Sequence, residues 1–161
     1  MVAAGNPIYA AEMNAALLKC VARRIRSSNK AVTGIAAGTY TPIMRIDSVQ
    51  LKAGQIYQVL CTGFRADSAT DTDLMAVHIF YSTSGVATTS STELARAEQS
   101  DQRTMYVAGL LPVAGDATYS FLLAGRRAIG AGSVNITYYC EPAALSVWAG
   151  GDDPGQTGTD L

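Results

Sequence analysis

Side chains that could carry out catalysis are scarce in this sequence of 161 residues. His78 is the one histidine, and it stands in the middle of a strongly apolar stretch. A general base needs a partner close to it in space, and no nucleophile motif accompanies this histidine. A hydrogen-bonded histidine in the core or at an interface is therefore the expected role. The sequence predicts no catalytic residue, and we expect a protein that is not an enzyme.

Metal and cofactor sites are no better supported. Asp67, Asp71 and Asp73 lie close together and could offer oxygen ligands to calcium, but they lack the spacing and the terminal glutamate of an EF-hand. The three cysteines have no CxxC spacing, so they indicate neither a zinc site nor a disulfide framework. We expect no metal, no cofactor, and reduced cysteines that act as small apolar side chains.

The composition excludes several further classes of protein. The chain has 12 Lys and Arg against 13 Asp and Glu, and only 16% of its residues are charged, whereas 48% are hydrophobic. Such a chain is neither a disordered acidic tail nor a basic nucleic-acid binder. Its apolar runs are too short to cross a bilayer, and no signal peptide is evident, so we expect synthesis in the cytosol without membrane insertion. A surface with so little charge favours assembly with other proteins.

The first predicted element of secondary structure is a helix over residues 10–26, AAEMNAALLKCVARRIR. The segment is rich in Ala and Leu, has no Gly or Pro, and carries its arginines late, as the helix dipole prefers. Its apolar positions, among them Leu18, Val21 and Ile25, follow a three-to-four spacing. This stripe is expected to pack as a stem, either on its own domain or between associating helices.

From Lys30 onward the hydrophobic period changes to two residues, which is typical of strands. The predicted strands are 31–36, 43–51, 55–65, 74–81, 93–98, 104–112, 118–124, 133–140 and 144–148. Short strands at this regular spacing predict an antiparallel, jelly-roll-like β-sandwich. The expected organisation is an N-terminal arm and helix over residues 1–30, the sandwich over 31–149, and a Gly/Asp-rich tail over 150–161.

The predicted strand 55–65 is apolar on both faces. One face carries Tyr57, Val59 and Cys61. The opposite face carries Ile56, Leu60 and Phe64. The next strand repeats this pattern. Because a sandwich has one inner face per sheet, the second apolar face must be covered by the N-terminal helix or by another subunit. We therefore expect a closed homo-oligomer, with three copies favoured over two, in which Ile56, Leu60 and Phe64 are subunit contacts.

Four stretches of the chain resemble small virion proteins of tailed phages that infect actinobacteria. These are GNPIYAAEMNAAL, LKAGQIYQVLCTGF, LLPVAGDATYSFLLAGRR and GSVNITYYCEPAALSVWAGGD, and the resemblance spans roughly residues 5–152. It implies a non-enzymatic, trimeric β-sandwich on a virion, which would be either a minor tail or fibre-like protein or a capsid decoration protein. Such a protein is assembled in the cytoplasm of the bacterial host.

The resemblance also implies partners and contacts. The arm residues Pro7, Ile8 and Tyr9 would anchor the protein to other virion proteins, namely major capsid or tail proteins. A glycan of the host cell surface remains open as a further partner. The alternative function is a carbohydrate-binding, lectin-like module for host recognition. The Ser/Thr-rich residues 82–92 are either a recognition loop or a plain linker.

Overall fold

The computed structural model describes residues 19–70, 73–100, 104–140 and 142–152, and these form ten β-strands. The strands are β1 (Lys19–Arg26), β2 (Lys30–Ala36), β3 (Tyr40–Leu51), β4 (Gln55–Ser68), β5 (Leu74–Ser82), β6 (Thr92–Ser100), β7 (Thr104–Val113), β8 (Ala117–Ile129), β9 (Ser133–Tyr139) and β10 (Ala143–Asp152). Strands β2 to β10 confirm the strands expected from the two-residue period. Within these ranges, no helix has the length and apolar character needed to cross a membrane.

The strands pair in a nested order that defines the architecture. The first strand pairs with the last, the second with the second last, and so on inward to the β5–β6 hairpin, all antiparallel. This order is that of a jelly roll. One sheet has six strands in the order β1-β10-β4-β9-β2, with β7 on the other edge of β4, and the second sheet has four in the order β3-β8-β5-β6. The predicted mainly-β sandwich is confirmed.

The predicted helix over residues 10–26 is wrong in its second half. Lys19–Arg26 form β1, an edge strand that pairs with β10, so Val21 and Ile25 lie on a strand of the sandwich and not on a helical stem. Residues 10–18 lie outside the described residues. The helix preference of Ala and Arg is worth only tenths of a kcal/mol per residue, and the backbone bonds to β10 outweigh it.

A bulge in β4 corrects the predicted face of Phe64. The register shifts between Cys61 and Phe64, where Gly63 takes a left-handed φ of 70°. A Cβ atom at Gly63 would clash with the carbonyl oxygen of Pro142, so only glycine fits. The extra residue turns Phe64 to the inner face, where it is fully buried and stacks on Tyr138 at 5.8 Å. Phe64 is a core residue, and it is not available as a subunit contact.

The main core lies between the two sheets. Alternate residues of each strand face it, so Tyr57, Val59 and Cys61 of β4 are buried as their period predicts. Burial raises the pKa of Cys61 to about 12, with a smaller contribution from Cys140, and the thiol stays protonated. Both residues therefore act as apolar side chains, as expected.

Candidate interaction surfaces

The outer face of the six-stranded sheet is apolar over strands β1, β10, β4 and β7, and no other segment of the described residues packs on it. Cross-strand register places one continuous set of side chains there, which we call the open face. Its members are Cys20, Arg23, Ile25, Ile56, Gln58, Leu60, Thr62, Tyr106, Ala108, Leu110, Pro112, Ala144, Ser146 and Trp148. Leu110 is 64% exposed, Tyr106 58% and Ile25 50%. Arg23 is the one charged side chain in this set of described residues, and Arg65 of β4 lies on the same outer face beyond the bulge, opposite Thr104.

The two edges of the open face are more exposed than its centre. Ile25, and Val21 at the neighbouring bulge, lie on the edge strand β1, while Tyr106 and Leu110 lie on the opposite edge strand β7. The central strands β4 and β10 carry half-buried or buried side chains in this part of the face. The large exposed apolar groups therefore form two separate margins.

The outer face of the four-stranded sheet is apolar around Phe80, Leu122 and Ala124, and the chain covers this part itself. Residues 83–91 fold back over this sheet, and Ala87, 2% exposed, packs on Phe80, Leu122 and Ala124. The Ser120 hydroxyl donates a hydrogen bond of 2.5 Å to the carbonyl oxygen of Gly85 and holds the segment down. We call this surface the covered face and residues 83–91 the covering loop. The second apolar face of β5 thus needs neither a helix nor another subunit.

His78 lies on the covered face and is fully buried. Its Nδ1 lies 2.7 Å from Oε2 of Glu93, and its ring stacks on Phe80 and meets the edge of Tyr40. Burial lowers the pKa of His78, although the hydrogen bond to Glu93 acts in the opposite direction. The buried and hydrogen-bonded position expected for this histidine is confirmed.

Of the three aspartates considered for calcium, Asp73 has another role, and Asp71 lies outside the described residues. Asp73 is buried and receives two hydrogen bonds from the guanidinium of Arg127, from Nε at 2.6 Å and from Nη2 at 2.8 Å. Ser68 donates a further bond to the same carboxylate. The Arg127 hydrogen bond is the main cause that lowers the pKa of Asp73. The two buried charges are therefore paired with each other, and neither is left uncompensated.

Two adjoining clefts lie at the end of the sandwich beside the covering loop. Their volumes are about 320 and 460 Å³, and both are lined by Thr83 and Tyr119. The second cleft also contains Tyr81, whose ring lies 6.0 Å from that of Tyr119. Asp47 is the one charged side chain among the lining residues, and most of the others are hydroxyl groups.

The structure brings together only part of the set of contacts predicted from the sequence. Ile56 and Leu60 lie on the open face, as expected, whereas Phe64 lies in the core. Pro7, Ile8, Tyr9 and Leu18 lie outside the described residues. Sequence reasoning missed Tyr106 and Leu110. Their signal was present, because both alternate in β7 with the buried residues Met105, Val107 and Leu111.

Comparison with known proteins gives fold-level likenesses. No protein-family model and no curated protein matches the chain. Among solved structures, a CBM4 carbohydrate-binding module is 14% identical over 85% of this chain and 83% of its own, with a TM-score of 0.43. An infectious bursal disease virus protein, strain Gx, is 8% identical over 80% of this chain, with a TM-score of 0.44, and an arabinose-bound GH51 α-L-arabinofuranosidase is 13% identical over 79%, with 0.38. The chain spans only 32% and 23% of these last two, and no function is inferred from any of them.

Proposed function

We propose that this protein is a non-enzymatic structural component of a tailed-phage virion that assembles with copies of itself through the open face. The observation that carries the proposal is the open face, an apolar surface on which no other segment of the described residues packs. Four strands about 4.8 Å apart and about eight residues long give it an area of roughly 500 Å². Apolar patches of this size mark protein contacts, and a standard interface buries about 800 Å² on each partner. The face therefore supplies a large share of such an interface.

A second copy of the chain is the occupant that fits this face. A partner of opposite charge would require charged side chains on the open face, and Arg23 alone does not provide them. Uncharged copies meet without electrostatic repulsion. The two exposed margins also suit a ring, because the β7 margin of one copy can contact the β1 margin of the next. Such head-to-tail contacts close into the threefold assembly expected from the sequence.

Native mass measurement tests this assembly directly. The chain should have the mass of three copies, and Leu60→Asp should give a folded monomer because the carboxylate would be buried in the interface. Val86→Asp is the matched control, since Val86 is also an exposed apolar residue, 53% exposed, but lies on the covering loop. It should leave the trimer intact. A wild-type chain that stays monomeric at every concentration would contradict the proposal.

The place of the protein in the virion is part of the same proposal. A tail position and a capsid position predict different partners, tail proteins or the major capsid protein. Labelled protein imaged on particles should lie either at the tail or over the capsid lattice. If the particles do not contain the protein, the proposed virion role is wrong. The proposed self-assembly would not be affected by that result.

A carbohydrate-binding function is the second candidate, and the two clefts at Tyr119 favour it. Hydroxyl side chains both donate and accept hydrogen bonds, as sugar hydroxyls do, and the lining is nearly uncharged. A glycan array tests it with Thr83→Val, which keeps the shape of a residue shared by both clefts. Binding by the native chain and not by the variant would support this function, and an array without binders would remove it.

A further inference from the structure

A third cleft lies at the edge of the sandwich, next to the β1 margin of the open face, and Ile25 of that margin is one of its lining residues. Its volume is about 560 Å³, and it lies between the turn that joins β1 to β2 and the middle of β3. Its charged lining residues are Arg24, Arg26, Arg45 and Asp47. Three guanidinium groups against one carboxylate make it positive in a chain whose net charge is −1. We call it the arginine cleft.

Arg26 builds the wall of the cleft and does not serve a ligand. Its Nη1 donates to the carbonyl oxygen of Ile43 at 2.8 Å, and its Nε donates to that of Ser28 at 2.7 Å. These bonds tie the β1–β2 turn to β3, while the positive charge remains at the cleft. The geometry of the two walls is therefore fixed before any partner arrives.

Arg24 and Arg45 supply the donors that remain. Arg45 uses its Nε to pair with Asp47 at 2.9 Å, which leaves its terminal nitrogens for another acceptor. Arg24 is exposed on β1, and no ion pair links it to any other described residue. A planar guanidinium binds a carboxylate through two parallel hydrogen bonds, so two such groups suit a ligand with more than one carboxylate.

The walls of the cleft are two edge strands. Among the described strands, β1 pairs only with β10, and β3 pairs only with β8. On β3 the carbonyl oxygens of Pro42 and Ile43 already accept hydrogen bonds from Lys30 and Arg26. The remaining backbone groups on the outer edges of the two walls can pair with an extended chain. A small anion would use the guanidinium groups and leave these backbone groups unused.

We propose that the arginine cleft binds an extended, acidic segment of a partner protein. Alternate carboxylates of the segment meet Arg24 and Arg45, because alternate side chains of a strand point the same way. Its backbone pairs with one of the edge strands. The cleft shares Ile25 with the β1 margin of the open face, so the bound segment would lie next to the contact between copies.

Binding of a labelled peptide tests the proposal with the full chain. The probe is an eight-residue peptide with Glu at alternate positions and Thr between them, followed by fluorescence anisotropy. The double variant Arg24→Gln, Arg45→Gln should weaken binding by about tenfold or more, since both charged pairs are lost. Arg23→Gln is the matched control, because Arg23 is next in the chain but faces the other way, and it should change binding by less than about twofold.

Further measurements identify what is recognised. Raising the salt concentration should weaken binding, and the same peptide with Gln in place of Glu should bind far less. The proposal is overturned if Arg23→Gln weakens binding as much as the double variant, if the Gln peptide binds equally, or if no binding occurs at millimolar peptide. Inorganic phosphate that displaces the peptide completely at low millimolar concentration would show an anion site in place of a peptide site. If the Leu60→Asp chain still binds the peptide, the peptide site does not depend on the proposed self-assembly.

Discussion

The two outer faces of this sandwich both carry apolar side chains, but only one of them is covered by another described segment of the chain. On the four-stranded sheet, the covering loop places Ala87 over Phe80 and Leu122, and the chain removes the face from water by itself. On the six-stranded sheet, Leu110 and Tyr106 remain more than half exposed. The comparison teaches that a second apolar face is not by itself a sign of a partner. Only the face that the chain leaves open calls for one.

A matched pair of leucines gives the largest expected difference between the two faces. Leu122→Ala, under the covering loop, should lower the free energy of unfolding by about 2–5 kcal/mol, because it leaves a cavity. Leu110→Ala, on the open face, should lower it by less than about 0.5 kcal/mol in a monomer. Urea unfolding of both, in a Leu60→Asp background that keeps the chain monomeric, measures the difference. Equal losses would mean that the open face is also packed within one chain.

The pH dependence of stability sharpens the account of the covered face. The unfolded chain binds a proton at His78 near its ordinary pKa of 6.5, while burial lowers the pKa in the folded state. Below pH 6.5 the unfolded state therefore binds more protons, and stability falls as the pH falls. Between pH 7.5 and 5.5 the loss should reach up to about 1.4 kcal/mol.

Urea unfolding across this range, compared with His78→Gln, checks the expectation. The chain has one histidine, so few other side chains titrate in this window. The variant should show a nearly flat profile. A slope of the same size in the variant would show that His78 is not the group responsible.

The smallest expected effect concerns the hydrogen bond that holds the covering loop. Ser120→Ala should lower the free energy of unfolding by about 1 kcal/mol and speed amide exchange in residues 83–91. Ser146→Ala is the control on the open face, where Ser146 Oγ accepts a hydrogen bond from Trp148. Exchange in the loop should not respond to it. Equal acceleration in both variants would contradict a local role for Ser120.

The period of the sequence was enough to predict nine of the strands and most of the core. In β9 the buried residues Ile136 and Tyr138 alternate with the more exposed Asn135 and Thr137. Such alternation requires only that one face of the strand is buried and the other is exposed to solvent. Strand β1 could not be found in this way. Its Ala and Arg residues favour a helix, and its strand state depends on β10, more than 110 residues away in the chain.

The candidate surfaces also divide into residues that local alternation predicts and residues that only distant contacts bring together. Ile56 and Leu60 were placed correctly by counting alternate residues, and the same count failed at Phe64, because one extra residue at Gly63 reverses the faces beyond it. The arginine cleft had no sequence signal. Arg24 and Arg45 lie on strands of different sheets, and only the packing of those sheets brings the two residues to one cleft.

The sequence by itself determined the sandwich, the scarcity of catalytic groups and the presence of two strands with apolar residues on both sides. These properties follow from side-chain types and from a period of two, which are local. Only the tertiary structure decided which apolar face is covered. That outcome depends on where the loop after β5 lies, on the bulge in β4 and on the partner of β1, and each of these is set by contacts between distant parts of the chain.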